Sequence, residues 1–215
     1  MKLIKALFVT TSILVTTIAN AGLLTINGNA VKAVDLDTLG VSSFEDFYDY
    51  DNANRWSSNI GIELTDEALI FVAELSNQYA VFTTFSSPYG SNGSVFANLS
   101  GTAGSLLFLD DPDETVSGSG ISFRWAADRN DGYIWSGLAD VDWMFTSIFS
   151  NSTLSGVRYA SFEDGHLIST DYSDIMRPDG TFVVANQVSA NLVSQPVMAG
   201  LLIMGLGFLF GRKKL

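Results

Sequence analysis

Short apolar or alternating runs recur at residues 23–34, 79–85, 105–109, 120–125, 133–135, 143–149, 154–159, 166–170 and 181–186, with clusters of Gly, Ser, Asn and Asp between them. Runs of this length bounded by turn-forming residues predict strands. Their number and close spacing predict an all-β body, a β-sandwich or jelly roll. In Ile121-Ser122-Phe123-Arg124-Trp125 the alternation puts Ile121, Phe123 and Trp125 on one face and Ser122 and Arg124 on the other, so this strand has one wet face. Two stretches break the pattern. Ser43-Phe44-Glu45-Asp46-Phe47-Tyr48 starts with a capping residue and acids in the first turn, which predicts a short helix near 43–49. Residues 65–75 fit neither period cleanly, and the β-branched and aromatic residues among them favour a strand. There is no internal repeat, and residues 185–193 read as a polar linker.

The two ends follow a different logic. Met1-Lys2-Leu3-Ile4-Lys5 is a basic leader followed by an apolar stretch, and Ala19-Asn20-Ala21 has the small residues signal peptidase requires. Residues 1–21 are therefore expected to be a removed signal peptide, with the folded body at 22–184. At the other end Ser194-Gln195-Pro196 precedes a 14-residue apolar run, 197–210, and then Arg212, Lys213 and Lys214. As a helix that run spans ~21 Å, short of a hydrocarbon core of roughly 30 Å, so it reads as a marginal anchor. Basic residues at both ends would stay on the cytoplasmic side, with the body exported across the membrane.

The segment 194–215 resembles the PEP-CTERM sorting signals of Gram-negative bacteria, with Ser194-Gln195-Pro196 where Pro-Glu-Pro is usual. The resemblance implies an exosortase-like sorting enzyme as a partner, a C-terminal hydrophobic helix in the membrane, and either anchoring or release to the cell surface or matrix. In the body, Leu109-Asp110-Asp111-Pro112-Asp113-Glu114, Phe123-Arg124-Trp125, Asp131-Gly132, Gly137-Leu138 and Asp142-Trp143 occur in that order. This order resembles the uncharacterised exported β-sandwich domains that accompany such tails.

Charge and composition narrow the functions. All 23 acidic residues lie between Asp35 and Asp179, against six basic residues in the body, a net charge of −17. That balance excludes a nucleic-acid surface and leaves neutral polysaccharide or divalent cations as the easier partners. Cysteine is absent, so no disulfide staples the fold. With one histidine and no cysteine, zinc is a poor fit.

The candidate chemistry is carried by acids and rings. Asp110, Asp111, Asp113 and Glu114 form the densest acidic cluster, and Asp110, Asp111 and Asp113 are the candidate Ca²⁺ ligands, since closely spaced carboxylates in a loop supply the hard oxygens that Ca²⁺ takes. Asp128, Asn130 and Asp131, and Asp49, Asp51, Asn52 and Asn54, are weaker matches that fit turn chemistry equally well. Trp56 in a polar loop, with Tyr48 and Tyr50 nearby, is the candidate glycan contact, while Trp125, Trp135 and Trp143 read as core. No Gly-x-Ser-x-Gly elbow surrounds any serine, and His166 reads as a turn residue. The expected function is a non-enzymatic envelope or extracellular-matrix protein. The alternative is a secreted glycan-active hydrolase with a carboxylate pair, for which Glu63, Glu74 and Glu163 are the acids nearest to apolar strands.

Overall fold

The computed structural model describes residues 22–50, 57–111, 114–118 and 120–188. The signal-peptide and tail expectations, 1–21 and 194–215, fall outside these residues, as do Trp56 and Asp113. Among the described residues no helix is long and apolar enough to cross a membrane.

The body is all-β with two short helices. Its strands are β1 (Leu23–Ile26), β2 (Asn29–Ala30), β3 (Val34–Asp35), β4 (Glu67–Leu75), β5 (Gln78–Phe85), β6 (Gly93–Gly101) and β7 (Ser105–Leu109), then β8 (Thr115–Ser117), β9 (Gly120–Trp125), β10 (Asp131–Ala139), β11 (Trp143–Ser150), β12 (Gly156–Phe162), β13 (Thr170–Tyr172) and β14 (Gly180–Gln187). Helices α1 (Leu36–Leu39) and α2 (Phe44–Tyr48) lie between β3 and β4. One sheet runs β2-β1-β14-β11-β6-β9-β8, and the second runs β13-β12-β4-β5-β10-β7 with β3 also paired to β4. The predicted wet face of β9 is present, with Arg124 exposed and Ile121, Phe123 and Trp125 buried in the core between the sheets.

Strand β4 explains its own ambiguous pattern. Ala68, Ile70 and Val72 pack into the core between the sheets, while Leu69, Phe71 and Ala73 pack into a second core on the outer face of the second sheet. A strand buried on both faces reads as a continuous apolar run, without alternation. One edge of β4 pairs antiparallel with β5, and the other pairs in parallel with β12 over its first half and with β3 over its second.

The outer core is closed by the helices. Ser43 caps α2, its Oγ accepting from the Asp46 N–H at 3.0 Å, and Glu45 and Asp46 sit in the first turn where the exposed N–H groups favour acids. Asp49 ends the helix in the left-handed conformation. Phe44, Phe47 and Tyr48 then lie over Phe82 of β5, with ring centroids 6.1, 5.6 and 6.4 Å from it, and Phe71 stacks on Phe82 at 5.0 Å.

The structure corrects four boundaries. The run 23–34 is broken by Asn27 and Gly28, both at positive φ, which fold β1 against β2 in a two-residue hairpin. Strand β6 has no counterpart among the predicted runs, because its alternation of Val95, Ala97 and Leu99 with half-buried Phe96 and Asn98 is diluted by Gly and Ser. The strand expected at 166–170 is replaced by two 3₁₀ turns, Glu163–Gly165 and Leu167–Ser169, which lead into β13. The expected linker at 185–193 begins too early. Ala185, Asn186 and Gln187 pair with β1, and Ala185 and Asn186 pair with β11 as well.

Phe82→Ala should remove the ring on which three aromatic residues of α2 converge. The expected loss is about 3–5 kcal/mol of unfolding free energy, read from urea denaturation, with the far-ultraviolet signature of the strands kept.

Candidate functional site: buried carboxylates beneath the helical cap

The acids that the fold brings together come from the crossings between the two sheets. The chain passes from β7 in the second sheet to β8 in the first, and returns from β9 in the first to β10 in the second. Asp110, Asp111 and Glu114 lie on the first crossing, and Asp131 opens β10 after the second. The Asp110 N–H donates to the Gly132 carbonyl at 3.1 Å, so the two crossings are joined through the backbone.

Asp110 is 2% exposed and Asp131 1%. The Tyr48 hydroxyl at the end of α2 donates to Asp110 Oδ2 at 2.7 Å, which ties the helical cap to the cluster. Asp110 Oδ1 is buried and accepts no hydrogen bond, and neither do the two buried carboxylate oxygens of Glu114. Leaving a buried polar group unmet costs about 1–3 kcal/mol, and more if it is charged. Asp131 is better served. Its Oδ1 accepts from the Gly132 N–H at 2.7 Å and its Oδ2 from the Arg124 N–H at 3.0 Å. Asp111 faces the Tyr50 hydroxyl at 3.4 Å. The ion pairs among the described residues, Lys32 with Glu163 and Arg158 with Glu67, engage other acids.

Close packing holds this arrangement. A Cβ on Gly132 would meet the Thr83 carbonyl oxygen at 2.3 Å and the Tyr48 hydroxyl oxygen at 2.6 Å, so only glycine lets Tyr48 reach Asp110. Asn130 clamps the entry to the β4 segment. Its Oδ1 accepts from the Ser58 N–H at 2.7 Å, its Nδ2 donates to Ser58 Oγ at 2.8 Å, and its own N–H donates to Ser57 Oγ at 3.2 Å.

Burial pushes the Asp110 carboxyl up to about 8, with the charge of Asp131 adding to it and the Tyr48 hydrogen bond opposing it. Glu114 is raised by loss of water, then by the charge of Asp131 and by its hydrogen bond to the Asp131 carboxylate, while Asp131 is raised by burial against the pull of its two N–H donors and of Glu114. These shifts have one physical source, since several carboxylates share a dry space in which each additional negative charge is disfavoured.

Of the predicted Ca²⁺ ligands, Asp110 and Asp111 lie at this site together with Glu114 of the same acidic run, and the site adds Asp131, which sequence spacing had assigned to another cluster. The Asp128 cluster does not assemble, because Asp128 is exposed, Asn130 is committed to Ser57 and Ser58, and Asp131 points into the carboxylate site. The glycan assignment of Tyr48 is corrected: the side chain is wholly buried, its ring packed against Phe82 and Phe108, so no sugar can stack on it. Tyr50 is half-buried, its ring 5.8 Å from Phe108. His166 is exposed at a turn. Glu63 takes N–H groups from Ile60 and Gly61 and the Ser58 hydroxyl, which makes it a loop cap. The pairing of Asp131 across the crossings has no local sequence signal beyond the Asp-Gly step that follows Asn130.

The class that these observations define is a two-sheet, mainly antiparallel sandwich with a helical cap and an enclosed carboxylate cluster. No protein-family model, curated protein or solved structure matches the chain.

A carboxyl raised on folding makes the folded state hold more protons than the unfolded chain, so stability must fall as pH rises through the interval between the two values. For Asp110 that interval runs from the ordinary value of about 4 to about 8. In buffer containing a chelator, the urea midpoint should therefore be higher at about pH 5 than at about pH 8, and Asp110→Asn should reduce the difference, leaving the part due to Asp131 and Glu114.

Proposed function

We propose that the chain is an exported, non-enzymatic protein of the bacterial envelope or extracellular matrix, delivered as an acidic β-sandwich and sorted through its C-terminal segment. What carries the reading is the placing of the acids that the fold gathers. Asp110 and Asp131 are enclosed beneath α2, whereas a glycosidase needs two carboxylates flanking a groove that admits a sugar chain. The remaining acids near apolar strands are dispersed: Glu63 caps a loop, Glu74 is half-buried at the end of β4, and Glu163 pairs with Lys32.

Export is supported by the Ala19-Asn20-Ala21 site. Sorting is supported by Ser194-Gln195-Pro196, the apolar run and Arg212, Lys213 and Lys214, in the manner of PEP-CTERM proteins handled by an exosortase. A body of net charge −17 is repelled by anionic lipid and acidic glycans, so neutral polysaccharide is the favoured matrix partner, with Trp56 and Tyr50 as its candidate contacts.

Cell fractionation with intact-mass measurement tests this reading. The exported protein should begin at Gly22, and deletion of residues 197–215 should release the body from the membrane into the soluble exported fraction. A mass that still includes Met1, or a deletion that alters neither fraction nor mass, would overturn it.

A further inference from the structure

We propose that Asp110 and Glu114 hold a hard divalent cation of the Ca²⁺ kind at the sandwich end beneath α2, with Asp131 lending charge from behind them. The warrant is the set of oxygens left without donors. Asp110 Oδ1 is buried and accepts nothing, Glu114 receives no donor and has only its own proton to share with Asp131, and among the described residues the charged neighbours of both are carboxylates. An uncompensated buried carboxylate is strongly disfavoured, and three in one place are disfavoured further by mutual repulsion. A divalent cation removes both penalties at once.

The division of labour follows from the hydrogen bonds. Asp131 already receives one N–H on each oxygen, so its orientation is set by Gly132 and Arg124, and it acts as a fixed negative charge. Asp110 has one oxygen bound by Tyr48 and the other open, which suits a single metal bond on Oδ1. Glu114 receives no donor on either oxygen and is hydrogen-bonded to Asp131 through its own proton, which a cation would replace. Among the described residues no three acidic or histidine side chains stand together at metal-ligand spacing. The ion would therefore take two carboxylates directly and complete its shell with backbone carbonyls and water, a mixture that Ca²⁺ accepts because its coordination is loose in number and angle. Zinc is unsuited, since the donors are hard oxygens only.

The consequence is mechanical. Tyr48 links Asp110 to α2, and Glu114 sits just before β8, so an ion between them fastens the helical cap of one sheet to the edge strands of the other. The site is independent of the export reading. Failure to bind a cation leaves the fractionation result untouched, and a retained signal peptide leaves the binding result untouched.

The test is thermal unfolding of the exported protein, purified as the cell makes it and stripped with EDTA, at mildly alkaline pH in CaCl₂, MgCl₂ or EDTA. Calcium at a hundred times its Kd should raise Tm by about 5–10 °C, with titration calorimetry giving a single site. Glu114→Gln and Asp110→Asn should each abolish the shift, and Asp171→Asn on the exposed β13 should keep it. Should Asp110→Asn fail to fold, Glu114→Gln decides alone. Equal midpoints in CaCl₂ and EDTA would overturn the proposal and leave protons as the neutralising charge. A calcium shift that survives Glu114→Gln would overturn it equally.

Discussion

The burial of β4 and β5 on both faces is the constraint from which the rest of the molecule follows. A two-sheet sandwich ordinarily leaves the outer face of each sheet to solvent, and polar residues then alternate with apolar ones along each strand. Here Leu69, Phe71, Ala73, Ala80 and Phe82 point away from the other sheet and are fully buried. Exposing that many apolar side chains would forfeit about 1.5–3 kcal/mol for each large one. The chain covers them with the segment between β3 and β4, and the helices α1 and α2 exist in that role.

The cap has an electrostatic consequence. Covering Phe82 brings Tyr48 over the edge of the second sheet, where its hydroxyl meets Asp110. The same cover shuts water away from Asp110 and Asp131 at the ends of the crossings between β7 and β8 and between β9 and β10. Carboxylates that would be ordinary loop acids on an open sandwich end become buried neighbours, and their protons are held well above the usual range. Apolar packing on one sheet thus creates the charge problem at the sandwich end. Gly132 is the geometric condition for it, since any side chain there would push Tyr48 off Asp110.

The absence of cysteine gives this coupling added weight. Without covalent staples, the long connections are fastened by aromatic contacts, by the Asn130 clamp on Ser57 and Ser58, and by whatever neutralises Asp110, Glu114 and Asp131. Each fastening joins elements far apart in sequence, with 72 positions between Asn130 and Ser58 and 62 between Tyr48 and Asp110.

Local chemistry alone determined much of the fold. Alternation in Ile121 to Trp125 assigned the faces of β9, the Ser43 cap and following acids located α2, and of the tryptophans read as core Trp125 and Trp143 are buried while Trp135 is partly buried against the same core. These features depend on residues within a few positions of one another, which a sequence displays directly. The tertiary structure alone decided that β4 is covered on both sides, that Asn27 and Gly28 break the first strand, and that Tyr48 is a buried hydrogen-bond donor and not an exposed ring. It also decided which acids meet. Asp110 and Asp131 are separated by two sheet crossings, and their proximity rests on strand order and on a cap supplied from residues 44–48. Burial and charge repulsion act through space, whereas composition and period record only what lies nearby along the chain.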